Sequence, residues 1–395
     1  MKYASITDRL ALLGSAKWDI HNKAKALKAA GVDLIHLTIG EPDVPTPDFL
    51  VERAKQAMDA GRLGYSNGQG EPGLLQALAR KYSIRAGREI TTGQVLALPG
   101  TQTALYATLN VLVSPGDEVL VGDPLYACYE GVIAAPGGVM VPVPLRPEHG
   151  FRMQAADVAE RITPKTRLLF LNSPHNPTGA VLRRDEIEAL GRLAVEHDLW
   201  ILSDEVYEEM IYTGTDFVSP FDLEWLADRV VVCSSISKSH AAPGFRSGWC
   251  VGSEDFITHL QPVAETMLFG NQPFIADMTE LAVSQRSPVA AGMAERFAHR
   301  ADIIYKMLHG KLGLAVHRPE AGMFTVVDIR SSGMSGEEFA ITLLEEERVA
   351  IMPGESFGPA LNGWLRFSLT KPDEQIITAC TRILSLVARK QGKAA

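Results

Sequence analysis

The chain has 395 residues, 46% of them apolar and 22% charged, with 38 basic against 47 acidic side chains. That is the balance of a globular protein large enough for two domains. A net charge of −9 argues against a broad basic surface for nucleic acid or anionic membrane as its main business. No apolar run reaches the length of a membrane span and the N-terminus has no signal-peptide core, so a cytoplasmic location is expected. The four cysteines, Cys128, Cys233, Cys250 and Cys380, have neither metal-ligand nor redox spacing.

Residues 1–30 are expected to be helical in part, with Trp18, Ile20 and His21 leading into an Ala/Lys-rich segment that stops at Gly31. Trp18 suits either a core anchor or the wall of a pocket mouth. Val32–Ile39 is a strand-like run ending in Gly40-Glu41-Pro42-Asp43. This loop is either a plain turn or a place where glycine lets backbone approach a ligand. A helix from Thr46 or Asp48 to Met58 and another over Glu71–Arg85 flank the loop Gly64-Tyr65-Ser66-Asn67-Gly68, where a tyrosine is unusual as core. Val95–Leu98 is a strand, and Gly100-Thr101-Gln102 turns from it into a helix reaching about Val113. Free N–H groups and the positive end of a helix dipole at such a turn suit a phosphate. The dinucleotide pattern Gly-x-Gly-x-x-Gly is absent here.

Glu118–Val121 is the next strand, and Tyr126 beyond it can stack on a flat heteroaromatic ring or pack a loop. Thr166–Leu171 is a strand ending in a loop rich in Pro and Asn, in which the amide of Asn176 suits a phenolate-type oxygen. An amphipathic helix over Arg183–His197 precedes the buried strand Leu199–Ser203. Asp204 follows at once, either capping a turn or pairing with a protonated ring nitrogen, and Tyr207 can reach the same face. The β-branched run Val230–Cys233 is another buried strand, and Ser-x-Ser-Lys ends at Lys238, with Arg246 eight residues on. A lysine there is either a solvated surface charge or a partly dehydrated amine, whose lowered pKa leaves a nucleophilic fraction. Ser235 and Arg246 suit phosphate oxygens, so the pair of features points to a Schiff base with pyridoxal phosphate.

Gly248–Gly252 reads as a strand, Asn271 lies in a loop, and a long helical region broken at Ser287-Pro288 runs to about Leu312. From Val316 the pattern is α+β: strand Met323–Ile329, helix Glu337–Glu347, strands Val349–Met352 and Trp364–Leu369, and a last helix Asp373–Lys390. The tail, residues 391–395, is expected to be loose. Arg366 interrupts an apolar strand, and such an arginine needs a fixed anion unless the strand is an edge that leaves it in solvent.

In their order and their places at strand ends, Tyr65, the Gly100 turn, Tyr126, Asn-Pro-Thr-Gly at 176–179, Asp-x-x-Tyr at 204–207, Ser-x-Ser-Lys and Arg366 resemble the motifs of class I/II aminotransferases of fold type I. The resemblance covers Gly40 to Arg366, and it is to the branch that includes prokaryotic aspartate aminotransferases. It implies an α/β fold, with a large domain built on a mostly parallel seven-stranded sheet flanked by helices and a smaller α+β domain. The expected division is an N-terminal segment 1–47 joining the small domain, a large domain 48–287 and a small domain 288–395.

The resemblance also implies pyridoxal 5′-phosphate as cofactor, a homodimer with shared sites, and transfer of an amino group from an amino acid to a 2-oxo acid such as pyruvate or 2-oxoglutarate. By the same resemblance, Lys238 holds the cofactor and moves the proton, Asp204 pairs with the ring nitrogen, and Asn176 and Tyr207 meet the 3′-oxygen. Tyr126 stacks on the ring. Gly100, Thr101, Gln102, Ser235, Arg246 and the partner subunit's Tyr65 hold the phosphate, with Asn271 near the other subunit's phosphate. Gly40, Asn176, Arg366 and Trp18 line the substrate position, with Arg366 on the α-carboxylate. No metal is implied.

One position departs from the pattern. Many dicarboxylate enzymes of the branch carry a lysine where Gln102 stands, so a second substrate carboxylate has no cation there. Trp18-Asp19-Ile20-His21, the run Leu171–Pro177 and Ser237-Lys238-Ser239-His240 are similar to arginine–pyruvate transaminases, which implies a donor other than aspartate, a basic one included. β-Elimination from a cysteine-type substrate is the alternative on the same scaffold. A cofactor-binding regulator would need a DNA-binding segment ahead of Gly40, and none is read there.

Overall fold

The computed structural model describes residues 1–11, 13 and 16–392, so that 12, 14, 15 and the end of the tail, 393–395, lie outside the described residues. Its strands are β1 (Ile35–Leu37), β2 (Val95–Leu98), β3 (Glu118–Asp123), β4 (Val139–Pro144), β5 (Thr166–Asn172), β6 (Trp200–Asp204), β7 (Val230–Ser235), β8 (Gly248–Val251), β9 (Ala315–Val316), β10 (Phe324–Asp328), β11 (Val349–Pro353) and β12 (Trp364–Ser368). Seven of them form one sheet in the order β2-β8-β7-β6-β5-β3-β4. All neighbours in it are parallel except β8, which runs antiparallel to both β2 and β7. The mostly parallel seven-stranded sheet expected from the resemblance is therefore present.

The central strands are continuous apolar runs because both faces are covered. Along β5, Leu168 and Phe170 pack into one core layer while Leu169 and Leu171 pack into the other. Along β7, Val231 and Cys233 share the layer of Leu168, and Val230 and Val232 the layer of Leu169. This is the two-residue period of a strand. Each such side chain, fully out of water, contributes roughly 1.5–3 kcal/mol of transfer free energy. Strand β4, absent from the sequence reading, explains itself by its prolines: Pro142 and Pro144 donate no hydrogen bond and blur the strand pattern. They are tolerated because β4 is an edge, paired only with β3.

The second sheet has the order β1-β11-β12-β10-β9, with β1 parallel to β11 and the other pairs antiparallel. Its own apolar core takes Leu37, Phe297, Phe339, Phe367 and Ile383, together with Tyr207 and Met210 from the chain that follows β6. β12 is the central strand, so the edge-strand reading of Arg366 is excluded. β1 is shorter than the expected Val32–Ile39, since only Ile35–Leu37 finds register with β11. The helix before β9 spans Ala290–Leu308 and stops short of Leu312, because the chain turns at Gly310, which has φ +76°. Among the described residues no helix is long and apolar enough to cross a membrane.

Candidate active site

The C-terminal ends of β3, β5, β6 and β7 open on one side of the large sheet, the usual place for a ligand in an open α/β sheet. A cleft of about 270 Å³ lies there, lined also by Phe324 of β10 and Arg366 of β12. Of the sequence-derived candidates, Trp18, Gly40, Thr101, Gln102, Tyr126, Asn176, Asp204, Tyr207, Ser235, Lys238, Arg246 and Arg366 line it. Gly100 forms the turn beneath it. Tyr65 and Asn271 do not line it.

Lys238 sits in the four-residue helix Ile236–Ser239 directly after β7, a helix capped by the Ser235 hydroxyl, which accepts from Ser237 N. Its amine donates to the Gly40 carbonyl at 2.8 Å. Burial, with Arg366 and Arg246 nearby and only Glu41 opposing, holds its pKa down at about 8. The surface-lysine alternative is thereby set aside. Gly40 is sterically required, because a Cβ there would lie 2.1 Å from the Phe324 ring.

Asp204 ends β6 and is 4% exposed. Val206 N donates to its Oδ1 at 3.2 Å, so it does cap the following turn, and the Tyr129 hydroxyl donates to Oδ2 at 2.7 Å. Burial raises its pKa to about 6 against those two hydrogen bonds. Among the described residues it has no cationic partner, and the cleft side of the carboxylate is where one would sit. Tyr207 is buried nearby, its phenol pKa raised by burial. Tyr126 is half-buried and stands edge-on to Tyr129, with ring centroids 5.5 Å apart.

Asn172, which the sequence reading quoted but did not single out, ties two of these strand ends together. Its Oδ1 accepts from Asn176 N at 2.9 Å and its Nδ2 donates to the Asp204 carbonyl at 3.1 Å. Tyr129 was missed as well. The signal available for both was position alone, one at the last residue of a buried strand and the other one helical turn beyond Tyr126.

Arg366 is 3% exposed and lies between the rings of Phe324 and Phe357, 4.0 and 4.3 Å from its guanidinium carbon. It donates to Asn176 Oδ1 at 3.1 Å and to the Thr38 carbonyl at 2.6 Å, while its Nε has no partner. Burial lowers its pKa to about 10. A buried guanidinium with neutral acceptors only is a receptor for an anion.

The other end of the cleft is a cradle. Gly100 has φ +90° and caps the helix Thr101–Leu112. A Cβ on it would lie 2.3 Å from Arg246 Nη2, so glycine is what lets the guanidinium lie over the turn. Gly248 is needed for the same reason, since its Cβ would meet the Gly100 backbone at 2.7 Å. Arg246 itself holds φ +52° and donates to Pro243 O at 2.9 Å. The Thr101 hydroxyl is buried here without a hydrogen-bond partner. An orphaned hydroxyl, a helix N-terminus and an arginine around one turn are the donor set of a phosphate site. With an amine of lowered pKa and a buried carboxylate also facing the cleft, the residues fit pyridoxal phosphate.

Tyr65 is 91% exposed and packs edge-on against Phe269, ring centroids 5.5 Å apart. Asn271 is 4% exposed, and neither its amide nitrogen nor its amide oxygen has a partner.

A sequence model of the family described as "Aminotransferase class I and II" matches residues 32–383. An arginine–pyruvate transaminase of Pseudomonas aeruginosa is 42% identical over 394 residues, covering 100% of each chain. An aspartate aminotransferase of Streptomyces avermitilis is 36% identical, covering 96% of this chain and 95% of its own. Among solved structures, the aspartate aminotransferase of Thermus thermophilus with maleate superimposes with a TM-score of 0.91 at 32% identity, over 98% of this chain and 100% of that one.

Proposed function

The chain belongs to the class I and II aminotransferases, and on that footing we propose that it takes its amino group from a donor without a second carboxylate, arginine before aspartate, and passes it to pyruvate or 2-oxoglutarate. The observation that carries this is the charge inventory of the cleft. Among the described lining residues the charged groups are Lys238, Arg246, Arg366 and Asp204, and Gln102 stands at the phosphate turn. Once Arg246 serves a phosphate, Arg366 an α-carboxylate and Lys238 the cofactor's aldehyde, no cation among the described lining residues is left for a second carboxylate. The similarity to an enzyme named for arginine points the same way. The β-eliminating alternative finds no support in the two relatives described above, which are named as a transaminase and an aminotransferase.

The family uses pyridoxal phosphate, which when bound supplies an aldehyde carbon and a ring that draws electron density from the substrate. The residues that would hold it are Lys238 at the aldehyde, Asp204 at the ring nitrogen, Asn176 and Tyr207 at the ring oxygen and Tyr126 on one face. Gly100, Thr101, Gln102, Ser235 and Arg246 would hold the phosphate. Arg366 binds the α-carboxylate through its free Nε edge, with Asn176 fixing the fork and Trp18 covering the substrate side. Lys238 Nζ, whose pKa is held down at about 8 so that a fraction is neutral near pH 7, takes the proton from the substrate Cα and gives one back to Cα in the return half-reaction.

Tyr65 and Asn271 belong in this reading to a site shared between two subunits. What supports a homodimer is the exposed apolar group Leu63, Tyr65 and Phe269 beside a buried amide with no partner. A cytoplasmic location rests on four free thiols, three of them buried. What supports the division into 1–47, 48–287 and 288–395 is the presence of two sheets, each with most of its core drawn from its own segment, although Val326, Met352 and Trp364 pack into the large core and Tyr207 and Met210 into the small one.

The test is a panel of amino donors with each acceptor, following the cofactor spectrum through single half-reactions. Arginine is expected to exceed aspartate in kcat/KM by about tenfold or more, the cost of a dicarboxylate side chain with no cation to meet it. Equal values for the two would sink the donor assignment. Lys238→Ala should lower turnover by about 10²–10⁴ for loss of the proton carrier. Normal turnover in that variant would remove the assignment of Lys238.

A further inference from the structure

We propose that Tyr129 is a positioning residue for the reaction: its phenol holds the Asp204 carboxylate in the one orientation that presents it to the cofactor's ring nitrogen. The inference rests on the role given to Asp204 under Proposed function. The geometry is a two-point clamp. Tyr129 donates to Oδ2 at 2.7 Å and Val206 N donates to Oδ1 at 3.2 Å, so each carboxylate oxygen has one donor from the protein and keeps a lone pair for the cleft. The backbone donor alone leaves the carboxylate free to rotate about its Cβ–Cγ bond, and the phenol removes that freedom.

Tyr129 cannot easily give way. It is 2% exposed, opens the helix Tyr129–Ala134, and its ring lies 4.4 Å from Phe170 and 5.5 Å from Tyr126 by centroid. It also reaches the cleft wall. A hydrogen bond to the ionised form of a buried acid opposes the burial that pushes protons onto it. The phenol therefore serves both the direction of the carboxylate and its charge.

Asp204 is surrounded by ionisable groups from every element packed on it. Tyr129 and Tyr126 come from the segment after β3, Tyr207 from the turn after β6, Cys233 from β7, and Lys238, Arg246 and Arg366 from across the cleft. Burial raises the pKa values of Tyr126, Tyr129, Tyr207 and Cys233, so all four stay neutral while Asp204 titrates. Lys238, its pKa held at about 8, titrates in the same window, so the part of an acid-side change in cofactor affinity that vanishes in Asp204→Asn is the part that reports on Asp204.

The experiment titrates cofactor-free protein with pyridoxal phosphate from pH 5 to 8, in the parent, Tyr129→Phe, Asp204→Asn and the double variant. Tyr129→Phe is expected to raise the dissociation constant roughly tenfold at pH 7, the worth of one hydrogen bond to a charged group. The pH below which affinity is lost should move upward. In the holoenzyme kcat should fall with KM for both substrates within about twofold. In the Asp204→Asn background the same change should alter the constant by less than about twofold, since the two groups act as one unit.

Parent-like affinity of Tyr129→Phe at every pH overturns the inference. So does an equal loss in both backgrounds, which marks the phenol as packing alone. Unchanged affinity in Asp204→Asn overturns the role of Asp204 and this inference with it. Should Tyr129→Phe fail to fold, 3-fluorotyrosine at 129 keeps the shape with a stronger donor. It should move the pH of affinity loss downward, and no movement would refute the clamp.

Discussion

A guanidinium in the middle of an apolar strand is costly unless something negative reaches it. Arg366 is kept there by two neutral acceptors and two aromatic faces, and burial lowers its pKa to about 10. Arg366→Lys keeps the charge and loses the planar fork, so KM for the amino acid and the oxo acid should both rise about tenfold or more. Steady-state kinetics with each substrate varied in turn will check this.

Lys238 gives a prediction about stability with a definite sign. Its folded pKa of about 8 lies below its ordinary value of 10.5, so between those limits the unfolded chain binds more protons than the folded one. Stability of the cofactor-free protein therefore rises with pH across that window from this group, by up to about 1.4 kcal/mol per pH unit. Lys238→Met should be the more stable protein at pH 7, with the difference shrinking as pH climbs through 8 toward 10. Urea unfolding at several pH values would show it, and a pH-independent difference would contradict it.

At the scale of elements, the turn proposed to hold the phosphate is one that two glycines make possible. Gly100 accepts a positive φ and clears room for Arg246, and Gly248 lets β8 pass behind it. Gly100→Ala puts a methyl group into the guanidinium and strains the backbone by about 1–3 kcal/mol. The expected outcome is at least tenfold weaker pyridoxal phosphate binding with secondary structure intact, read by absorption titration beside circular dichroism. The central strands of the large sheet were legible because each is a continuous apolar run closed by polar or turn-forming residues. β4 was not, because an edge strand tolerates the very prolines that otherwise argue against a strand.

At the scale of the whole molecule, the two sheets meet over the cleft. Arg366 and Phe324 come from the small sheet, while Asp204 ends β6 of the large one and Lys238 and Asn176 follow its β7 and β5. Tyr65 lies outside the cleft of its own chain. If it serves the second subunit's phosphate, Tyr65→Phe and Lys238→Ala proteins are each impaired alone. Mixed and allowed to exchange subunits, they should form a hybrid in which one site has both groups intact. Activity above the sum of the two parents is the expected result; strict additivity would argue for self-contained sites.

Apart from β4 and the two-residue β9, the order of the strands, the residues at their ends and the departure at Gln102 were determined by the sequence alone, because period, turn chemistry and residue type are local. Which polar atoms are left without partners was decided only by the tertiary structure. Arg366 on a central strand, the Tyr129 hydroxyl on Asp204 and the bridging amide of Asn172 join residues 190, 75 and 32 positions apart. No local pattern encodes such pairs, since burial and hydrogen bonding between distant segments exist only once the chain has closed on itself.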